Sequence, residues 1–396
     1  MIVVVIVLRV PAFEFICFSI LIASGLLTKQ IHYINNDQDI KKILPVLEEH
    51  THLCVDTEFH AENRYTPKLM LIQISDLNQN TWVIDPLTCN ISPLKEIFQD
   101  KTLIMHGSKE DILLLQKRLH FSTKHLIDVQ IAASMMGSYY PTRLSSIIQE
   151  HLGIETPQHQ TLSDWSKRPL SKEQLQYAAE DVSSLVPLYL YFAKALCDRE
   201  NLLLSICSEF AYDTLNTESQ EHDWLQWGVT KTLSHDSLSI LGELLLWRES
   251  QAQIQNKPAN YILPRNVAID IARRQPISIL ELRQNRRINS VLIKKHGNTI
   301  LQRIQKGLSS PKTYLPFTTQ ELRYAHVLQT WAQAISSKVQ IDANLLVPQE
   351  LSMRLVRQKE KALTGWRKKL LFDDLVQFIH GTTSLKLDGL SVTISP

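Results

Sequence analysis

The stretch Leu53–Phe59 reads Leu-Cys-Val-Asp-Thr-Glu-Phe and predicts a β-strand that carries two acidic residues. Asp56 and Glu58 follow an apolar run and are two residues apart, so a strand places both carboxylates on one face. Neighbouring carboxylates repel each other and raise each other's pKa. A hard divalent cation, Mg²⁺ or Mn²⁺, would allow both to stay ionised. The same pattern also occurs at a solvated strand edge, so a metal site requires further ligands from elsewhere in the chain.

The composition is that of an ordinary globular protein with several domains. A chain of 396 residues favours two or three domains, and its hydrophobic content of 44% and charged content of 21% are typical of folded proteins. None of the five cysteines forms a Cys-x-x-Cys pair, which argues against a structural zinc site and a disulfide framework. We therefore expect a reducing, cytoplasmic setting.

Positive charge is concentrated in one part of the chain. The segment Ser237–Ser310 contains twelve Lys or Arg and four Asp or Glu, a net charge of +8, while the whole chain carries only +2. A basic module beside an acidic remainder is what an enzyme that binds a polyanion would show. A solvated basic face without a ligand explains the charge equally well.

The first 29 residues are conspicuously apolar. The longest run without a charge, Phe15–Leu27, is shorter than the ~20 residues that span a bilayer. Arg9 follows the first apolar run, whereas a secretory signal carries its positive charge before that run. Three explanations compete: an upstream extension outside the working protein, a weak membrane anchor, or an extra packed strand. We favour the extension and expect no membrane partner.

From about Gln30 onward, the sequence predicts an α/β domain. Three more strand candidates follow Leu53–Phe59, and the polar turns between the first three indicate a β-meander. Helical spacing of apolar residues predicts the helices, one of which is opened by a capping box of Ser171 and Gln174. The predicted strands are Lys68–Ser75, Thr81–Asp85 and Thr102–His106, and the predicted helices are Asp37–Glu49, Lys109–Leu119, Asp128–Met136, Arg143–Leu152 and Ser171–Leu190.

Three more candidate site residues lie within the predicted helices. Asp111 is near the N-terminus of its helix, where a carboxylate also interacts favourably with the helix dipole. Tyr177 and Asp181 are four residues apart and therefore share one face of a helix. The small Ala178 and Ala179 between them would allow close packing against a neighbour. Each residue has an ordinary structural explanation by itself, and it is their order along the chain that favours one site.

That order is Asp-x-Glu on a strand, Asp on a later helix, then Tyr-x-x-x-Asp on a last helix. It resembles the DEDDy family of 3′→5′ exonucleases, and within it the ribonuclease D group. The resemblance covers roughly residues 31–198 and implies a ribonuclease H-like mixed sheet flanked by helices over residues 30–200. Beyond the acidic residues it rests on Val55–Phe59, Leu71–Gln73, Ile84–Pro86, His106–Ser108, Ile127 with Asp128, Ser163–Leu170 and Tyr177–Val182.

The resemblance also implies a chemistry, which is hydrolysis of the last phosphodiester of an RNA with two divalent ions, Mg²⁺ or alternatively Mn²⁺. Asp56 would bridge both ions, and Glu58 and Asp181 would complete the site of the ion that activates water. Asp111 would support the ion near the leaving 3′-oxygen. Tyr177, largely protonated at its ordinary pKa of about 10, would orient the attacking water. The product would be a nucleoside 5′-monophosphate.

Past Asn201 the sequence becomes helical and resembles the HRDC domain, a small helical module. A first copy would span residues 236–308 and a degenerate second copy residues 318–390, both of them all-α, in the tandem layout of the ribonuclease D group. The implied partner is RNA with a free 3′-hydroxyl, such as tRNA precursors, bound in part through the basic first copy. We expect no obligatory protein partner.

Several residues of the matching motifs have uncertain roles. Gln158 and Leu162 stand where many relatives carry a Lys and a basic residue, so we expect a lower affinity for substrate here. Lys167 and Arg168 would either contact substrate phosphate or lie on a solvated turn. For His106, a hydrogen bond to the backbone explains the residue at least as well as a contact with the terminal nucleotide.

Two other functions use the same features. A 3′→5′ DNA exonuclease of the proofreading type is built on the same acidic set, although no polymerase-sized region follows it here. A nucleic-acid-binding scaffold with a vestigial catalytic site would also carry the basic module. The presence of all five active-site residues argues against the scaffold.

Overall fold

The computed structural model describes residues 30–123, 125–155, 164–215, 223–226, 228–310, 314–388 and 391–395. The apolar start, residues 1–29, lies outside the described residues, as do Gln158 and Leu162. The chain forms an α/β domain up to residue 215, a first helical region from 223 to 310, and a second helical region from 314 to 395. Within these ranges, no helix has the length and apolar character that a membrane crossing would require.

The α/β domain is built on a six-stranded mixed sheet. Its strands are β1 (Ile31–Ile34), β2 (His52–His60), β3 (Lys68–Ser75), β4 (Thr81–Ile84), β5 (Thr102–Met105) and β6 (His125–Asp128). Their spatial order is β1-β4-β3-β2-β5-β6. The meander β2-β3-β4 is antiparallel, while β1 pairs with β4 and β5 pairs with β2 and β6 in parallel. The central strands are therefore those that carry the acidic motif and its neighbours.

The predicted meander is confirmed, but strands β1 and β6 were not predicted. Each has only four residues, which is too short for a clear period-2 alternation. Asp128 was assigned to a helix; it instead ends β6 and caps the helix that follows, where its side chain accepts a hydrogen bond from the Gln130 amide. Both strands form because β4 and β5 offer them parallel partners that are distant in sequence.

Eight helices accompany the sheet in the described part of this domain. They are α1 (Asp37–Glu48), α2 (Leu94–Asp100), α3 (Lys109–Leu119), α4 (Val129–Ser134), α5 (Leu144–Leu152), α6 (Lys172–Ser183), α7 (Leu185–Ala195) and α8 (Glu200–Leu215). The helix predicted over Ser171–Leu190 is divided into α6 and α7. Pro187 explains the break, because it has no amide hydrogen for the Ser183 carbonyl and its ring crowds that oxygen.

The two helical regions are of similar size. The first contains α9 (His235–Gln255), α10 (Ala259–Ile262), α11 (Arg265–Arg274), α12 (Ile279–Gln284) and α13 (Ser290–Ser309). The second contains α14 (Thr319–Val339), α15 (Ala343–Leu346), α16 (Gln349–Gln358), α17 (Gly365–Ile379) and the hairpin β7 (Ser384–Asp388) and β8 (Ser391–Ser395). The hairpin departs from the all-α prediction for residues 318–390. Alternating apolar residues explain it, since Leu385 pairs with Ile394 and Leu387 with Val392.

The apolar side chains form three clusters. One fills the sheet face near α1 to α5, α7 and α8 and continues into the second helical region. Another belongs to the first helical region and reaches from Trp224 to Ile304. The third lies between the sheet and α6 and includes Leu71, Ala178 and Ala179. The side of the sheet with this third cluster is the side of the acidic residues.

Candidate active site

The two carboxylates of β2 lie on the central part of the sheet. In the antiparallel register, Asp56 is opposite Gln73 and Glu58 is opposite Leu71. Side chains that face each other across such a pair stand on one side of the sheet, so Asp56 and Glu58 are on the side of Leu71. The register shifts between Glu58 and Phe59, and a bulge of this kind twists the strand and re-aims its side chains.

Helix α6 covers this side of the sheet. Its start is fixed by the predicted capping box, in which the side chains of Ser171 and Gln174 each accept a hydrogen bond from the other residue's backbone amide. Ala178 and Ala179 are 0% and 2% exposed. Because these side chains are small, the helix backbone approaches β3 and β4 closely. The predicted close packing of the two alanines is confirmed.

The same helix brings Tyr177 and Asp181 to the carboxylates of β2. The Tyr177 hydroxyl is hydrogen-bonded to the Asp181 side chain, and its charge environment includes Glu58 and Asp56. The Tyr177 ring lies 6.0 Å from the Trp165 ring, centre to centre. Burial, followed by the nearby Asp181 carboxylate, raises the pKa of Tyr177 above its ordinary value. The phenol is therefore protonated at neutral pH.

Asp111 reaches the site from the first turn of α3. Thr57, the buried residue between the two acidic residues of β2, donates its hydroxyl to Asp111 Oδ1. Asp111 is also the first carboxylate whose charge raises the pKa of Asp56. Thr57 thus joins the strand to the helix, a role that the sequence analysis did not assign to it.

The turn before α3 is organised by Asp128. The Asp128 carboxylate accepts hydrogen bonds from the Gly107 amide at 3.0 Å and from the amide and hydroxyl of Ser108 at 2.8 and 2.9 Å. Gly107 has a φ of +59°, a conformation that glycine adopts without strain. His106 Nε2 lies 3.0 Å from the Thr142 carbonyl oxygen. This contact supports the backbone-bonded role that was one of the two expectations for His106.

Arg168 has a structural role that neither sequence-based alternative described. Its guanidinium forms a bidentate pair with Asp85, which also accepts a hydrogen bond from the Tyr33 hydroxyl at 2.8 Å. It further donates to the carbonyls of Trp165 at 2.8 Å and Met70 at 3.0 Å. Burial works against the charged form of Asp85, but the hydrogen bonds from Arg168 and Tyr33 outweigh it and lower the pKa. These contacts fix the segment before α6 to the sheet.

Burial and neighbouring carboxylates raise the pKa of three of the acidic residues. For Asp56, burial is the largest cause, followed by the charges of Asp111, Asp181 and Glu58. Burial and then Asp181 and Asp111 raise the pKa of Glu58 to about 8. Burial raises the pKa of Asp111 to about 6, although the hydrogen bond from Thr57 opposes this. Four carboxyl groups from three elements therefore share one electrostatic environment.

The donor set suits a hard divalent cation. All four candidate ligands are carboxylates, which Mg²⁺ and Mn²⁺ prefer, and a cation would relieve the repulsion that raises their pKa values. Among the described residues, no three Asp, Glu, His or Cys side chains are grouped closely enough to hold an ion as they stand.

Comparison with known proteins identifies the two kinds of domain. Residues 31–197 match the family model described as 3′-5′ exonuclease, and residues 237–304 match the HRDC domain. The chain is 27% identical to ribonuclease D of Desulfotalea psychrophila over 87% of this chain and 97% of that protein. The chain therefore resembles ribonuclease D along most of its length. Its activity is that of a hydrolytic 3′–5′ exoribonuclease.

Two Escherichia coli comparisons extend this result. Ribonuclease D of Escherichia coli K12 is 26% identical over 86% of this chain and 96% of its own length. The crystal structure of Escherichia coli RNase D, described as an exoribonuclease involved in structured RNA processing, has a TM-score of 0.76 at 24% identity and covers 89% of this chain. At this identity the structural likeness shows a shared fold, which includes the α/β domain and the helical regions. The predicted mixed sheet with flanking helices and an HRDC domain is confirmed.

Proposed function

We propose that this ribonuclease D-like chain shortens structured RNA from the 3′ end by one nucleotide at a time, with tRNA precursors among its substrates. Asp56, Glu58, Asp111 and Asp181 would hold two divalent ions, Mg²⁺ first and Mn²⁺ as the alternative. The observation that carries the proposal is the shared environment of these carboxylates, in which each of Asp56 and Glu58 responds to the charges of Asp111 and Asp181.

Two bound divalent ions would stabilise the charge that develops on the entering and leaving oxygens of a phosphodiester. The chain's own contribution is to place acceptors and donors around that bond. The charges of both Asp111 and Asp181 raise the pKa of Asp56, which suits a ligand shared by both ions. Glu58 and Asp181 would serve the water side, and Asp111 the side of the leaving 3′-oxygen.

Tyr177 would orient the attacking water. Its hydroxyl hydrogen is directed to Asp181, which leaves an oxygen lone pair to accept a hydrogen bond from water. The raised pKa keeps the phenol protonated, so it positions the water and does not remove its proton. The reaction would end with a nucleoside 5′-monophosphate and an RNA that is one residue shorter.

The domain division is also proposed. We assign residues 30–200 to the exonuclease domain, 236–308 to the first HRDC-like domain and 318–390 to a degenerate second copy. The separate apolar cluster of the first helical region supports the first assignment. Residues 1–29 would be an extension that catalysis does not need. The four cysteines that the described residues contain are free, which favours a cytoplasmic location.

The test uses the purified chain and a 5′-labelled single-stranded RNA with a free 3′-hydroxyl. In Mg²⁺ we expect a ladder that shortens from the 3′ end, and we expect EDTA or Asp56→Asn to abolish it. The matched control is Asp100→Asn, which alters a carboxylate that is 73% exposed and should leave the ladder unchanged. An Asp56→Asn protein with wild-type turnover at saturating Mg²⁺ would refute the ligand assignment.

Two further substrates separate the alternatives. A DNA oligonucleotide of the same sequence should be a poorer substrate than the RNA, and the reverse order would favour the DNA exonuclease. A tRNA precursor with a 3′ extension should be trimmed to the structured end. If the chain binds RNA but does not cleave it in any divalent metal, the scaffold function would replace the enzyme.

A further inference from the structure

Gln73 occupies a place beside Asp56 that the mechanism above does not use. It lies on β3 directly opposite Asp56 in the antiparallel register. Paired residues of this kind stand on one side of the sheet with their Cβ atoms about 4.5–5.5 Å apart. The Gln73 side chain is 0% exposed. A primary amide is therefore enclosed in the protein as the immediate neighbour of a catalytic carboxylate.

The Gln73 amide has no hydrogen-bond partner in the described part of the chain. Neither Nε2 nor Oε1 is satisfied, and no other side chain in the described residues has two such buried atoms. On the strand side opposite Asp56, its partner is Val83, which is apolar and fully buried. A buried polar group without a partner is destabilising, so retaining it in this position calls for a compensating interaction.

Two other buried polar side chains near the sheet each accept several hydrogen bonds. Asp76 accepts hydrogen bonds from the amides of Asn78 and Asn80 and from the Asn80 side chain. Asp128 accepts four hydrogen bonds from the turn and helix that it joins. Gln73 differs from both, and Asp56 is the polar residue opposite it. The missing partner of the amide is therefore to be found on the Asp56 side.

We infer that Gln73 is a positioning residue for Asp56: its Nε2 donates a hydrogen bond to the Asp56 carboxylate, directly or through one buried water, when the site is assembled for catalysis. This inference rests on the proposed function of Asp56. The amide fixes the orientation in which Asp56 presents its oxygens to the divalent ions. Its removal should weaken ion binding and slow the chemical step, while the affinity for RNA should stay the same.

The test is Gln73→Met, which keeps the approximate volume and removes the amide. Because an unsatisfied buried amide is replaced by an apolar group, the melting temperature of the metal-free protein should stay the same or rise. The free energy of a hydrogen bond to a charged group corresponds to a change in rate of about 10- to 100-fold. We therefore expect kcat to fall by at least tenfold, while KM for RNA stays unchanged. Mn²⁺ affinity, measured by titration calorimetry without RNA, should fall as well.

The matched control is Gln116→Met. Gln116 is a buried glutamine of α3 whose Oε1 also lacks a partner, but no strand register places it beside Asp56. Its variant should keep wild-type kcat and Mn²⁺ affinity. Wild-type kcat and Mn²⁺ affinity for Gln73→Met would overturn the inference. So would a lower melting temperature in Gln73→Met with unchanged Mn²⁺ affinity, because that result describes a structural residue.

A measurement on the unsubstituted side chain covers the case in which Gln73→Met does not fold. The side-chain NH₂ resonances of Gln73 should shift when Mg²⁺ is added to the wild-type protein, and should shift again in Asp56→Asn. Resonances that respond to neither change would overturn the inference. Asp56→Asn also separates the two claims: if it is fully active the proposed site fails, whereas inactivity of Asp56→Asn with full activity of Gln73→Met rejects the role of Gln73 alone.

Discussion

The two helical regions that follow the α/β domain are attached to it in different ways. In the second region, Leu328, Trp331 and Leu375 belong to the same apolar cluster as Leu203 and Ile206 of α8. In the first region the apolar residues form a cluster of their own. The second region is therefore part of the catalytic body, whereas the first, which contains the HRDC domain, is a separate folding unit in contact with it.

Polar contacts strengthen the attachment of the second region. The Arg199 guanidinium, between α7 and α8, donates to the carbonyl oxygens of Val339 at 2.8 Å and Gln340 at 3.1 Å in the second region, and to that of Met135 in its own domain at 3.0 Å. Glu209 of α8 accepts a hydrogen bond from the Trp366 amide at 2.9 Å, at the start of α17. These contacts bind helix ends of one region to helices of the other.

The first region meets the α/β domain through the loop 61–67, which joins β2 to β3. The Tyr65 hydroxyl donates to Glu249 at 2.6 Å and accepts from Gln253 at 3.0 Å. The Thr66 amide donates to the Asn256 side chain at 2.9 Å. The Tyr65 ring packs against the apolar cluster of the first region. This contact is mostly polar and directly follows the strand that carries Asp56 and Glu58, so it can change without loss of either core.

The two regions should therefore respond differently to the loss of a buried side chain. Loss of an apolar anchor in the shared core should destabilise the catalytic domain itself. Loss of an anchor in the separate core, or in the loop contact, should leave that domain folded.

Trp331→Ala should be the most destabilising change. Trp331 is 0% exposed and stacks on Phe378 with ring centres 6.0 Å apart. Removal of a buried Trp side chain costs about 3–5 kcal/mol, and here the α/β domain should lose that stability. Urea unfolding measures this loss of stability when it is monitored through the release of mononucleotides from a short RNA.

The matched change in the other core is Trp247→Ala, which removes a side chain that is 4% exposed. It should unfold the first region while turnover of a short RNA persists. Equal loss of short-RNA turnover in both variants would mean that the two regions form a single folding unit.

Glu209→Gln should have an intermediate effect. The Glu209 carboxylate accepts a hydrogen bond from the Trp366 backbone amide at the N-terminus of α17. A cap of this kind contributes about 1 kcal/mol to stability. Gly365 permits the approach, because a side chain there would collide with Glu209. The urea concentration at the unfolding midpoint should fall, while the slope of the unfolding free energy against urea concentration should stay the same. As a control, Asp374→Asn removes the exposed ion pair with Lys338 and should lower stability by less. A larger effect of the control would contradict the assignment.

Tyr65→Phe should loosen the loop contact with no effect on either core. The loss of the two hydrogen bonds should weaken the contact by about 1 kcal/mol. In a double-mutant cycle, the effects of Tyr65→Phe and Glu249→Gln should be coupled. Hydrogen exchange of the Thr66 amide should accelerate, while the thermal midpoint of the α/β domain should remain unchanged. An unchanged exchange rate in the double variant would show that the contact does not hold the loop.

Arg283→Ala and Arg286→Ala should have the smallest effect for each residue. Both side chains are exposed, and neither makes an ion pair within the described residues. If they neutralise RNA phosphates, each substitution should reduce the slope of log affinity against log salt by about 1. The control is Arg274→Ala, whose guanidinium is paired with Asp270 at 3.0 Å. Equal slopes for wild type and both variants would remove these arginines from the RNA surface.

Much of the local structure was predictable because its signals are local. Lys68–Ser75 and Lys109–Leu119 were predicted with the bounds that the structure shows, since each has a clear apolar period and polar ends. The capping box at Ser171 was likewise readable from two residues. Strands β1 and β6 were not predictable, because four residues are too few to show an alternation of apolar and polar residues and their partner strands are distant in sequence.

The candidate site divides in the same way. Asp56, Glu58, Asp111, Tyr177 and Asp181 were chosen from residue type and order, and the fold brings them into one electrostatic environment. Their roles as ligands and as a water-orienting group stay predictions. The supporting contacts of Thr57, Asp128 and Arg168 were missed, because each joins elements that are 20 or more residues apart.

From the sequence alone one could derive most of the longer strands and helices of the α/β domain, the shared side of β2 on which both carboxylates lie, and the resemblance to ribonuclease D. Those properties follow from residue spacing and type over short distances. Only the tertiary structure decided that the second helical region shares the core of the catalytic domain and that the first does not. It alone also placed an unpaired amide beside Asp56. Such facts depend on which surfaces meet, and contact between distant segments has no signature in the spacing of residues along the chain.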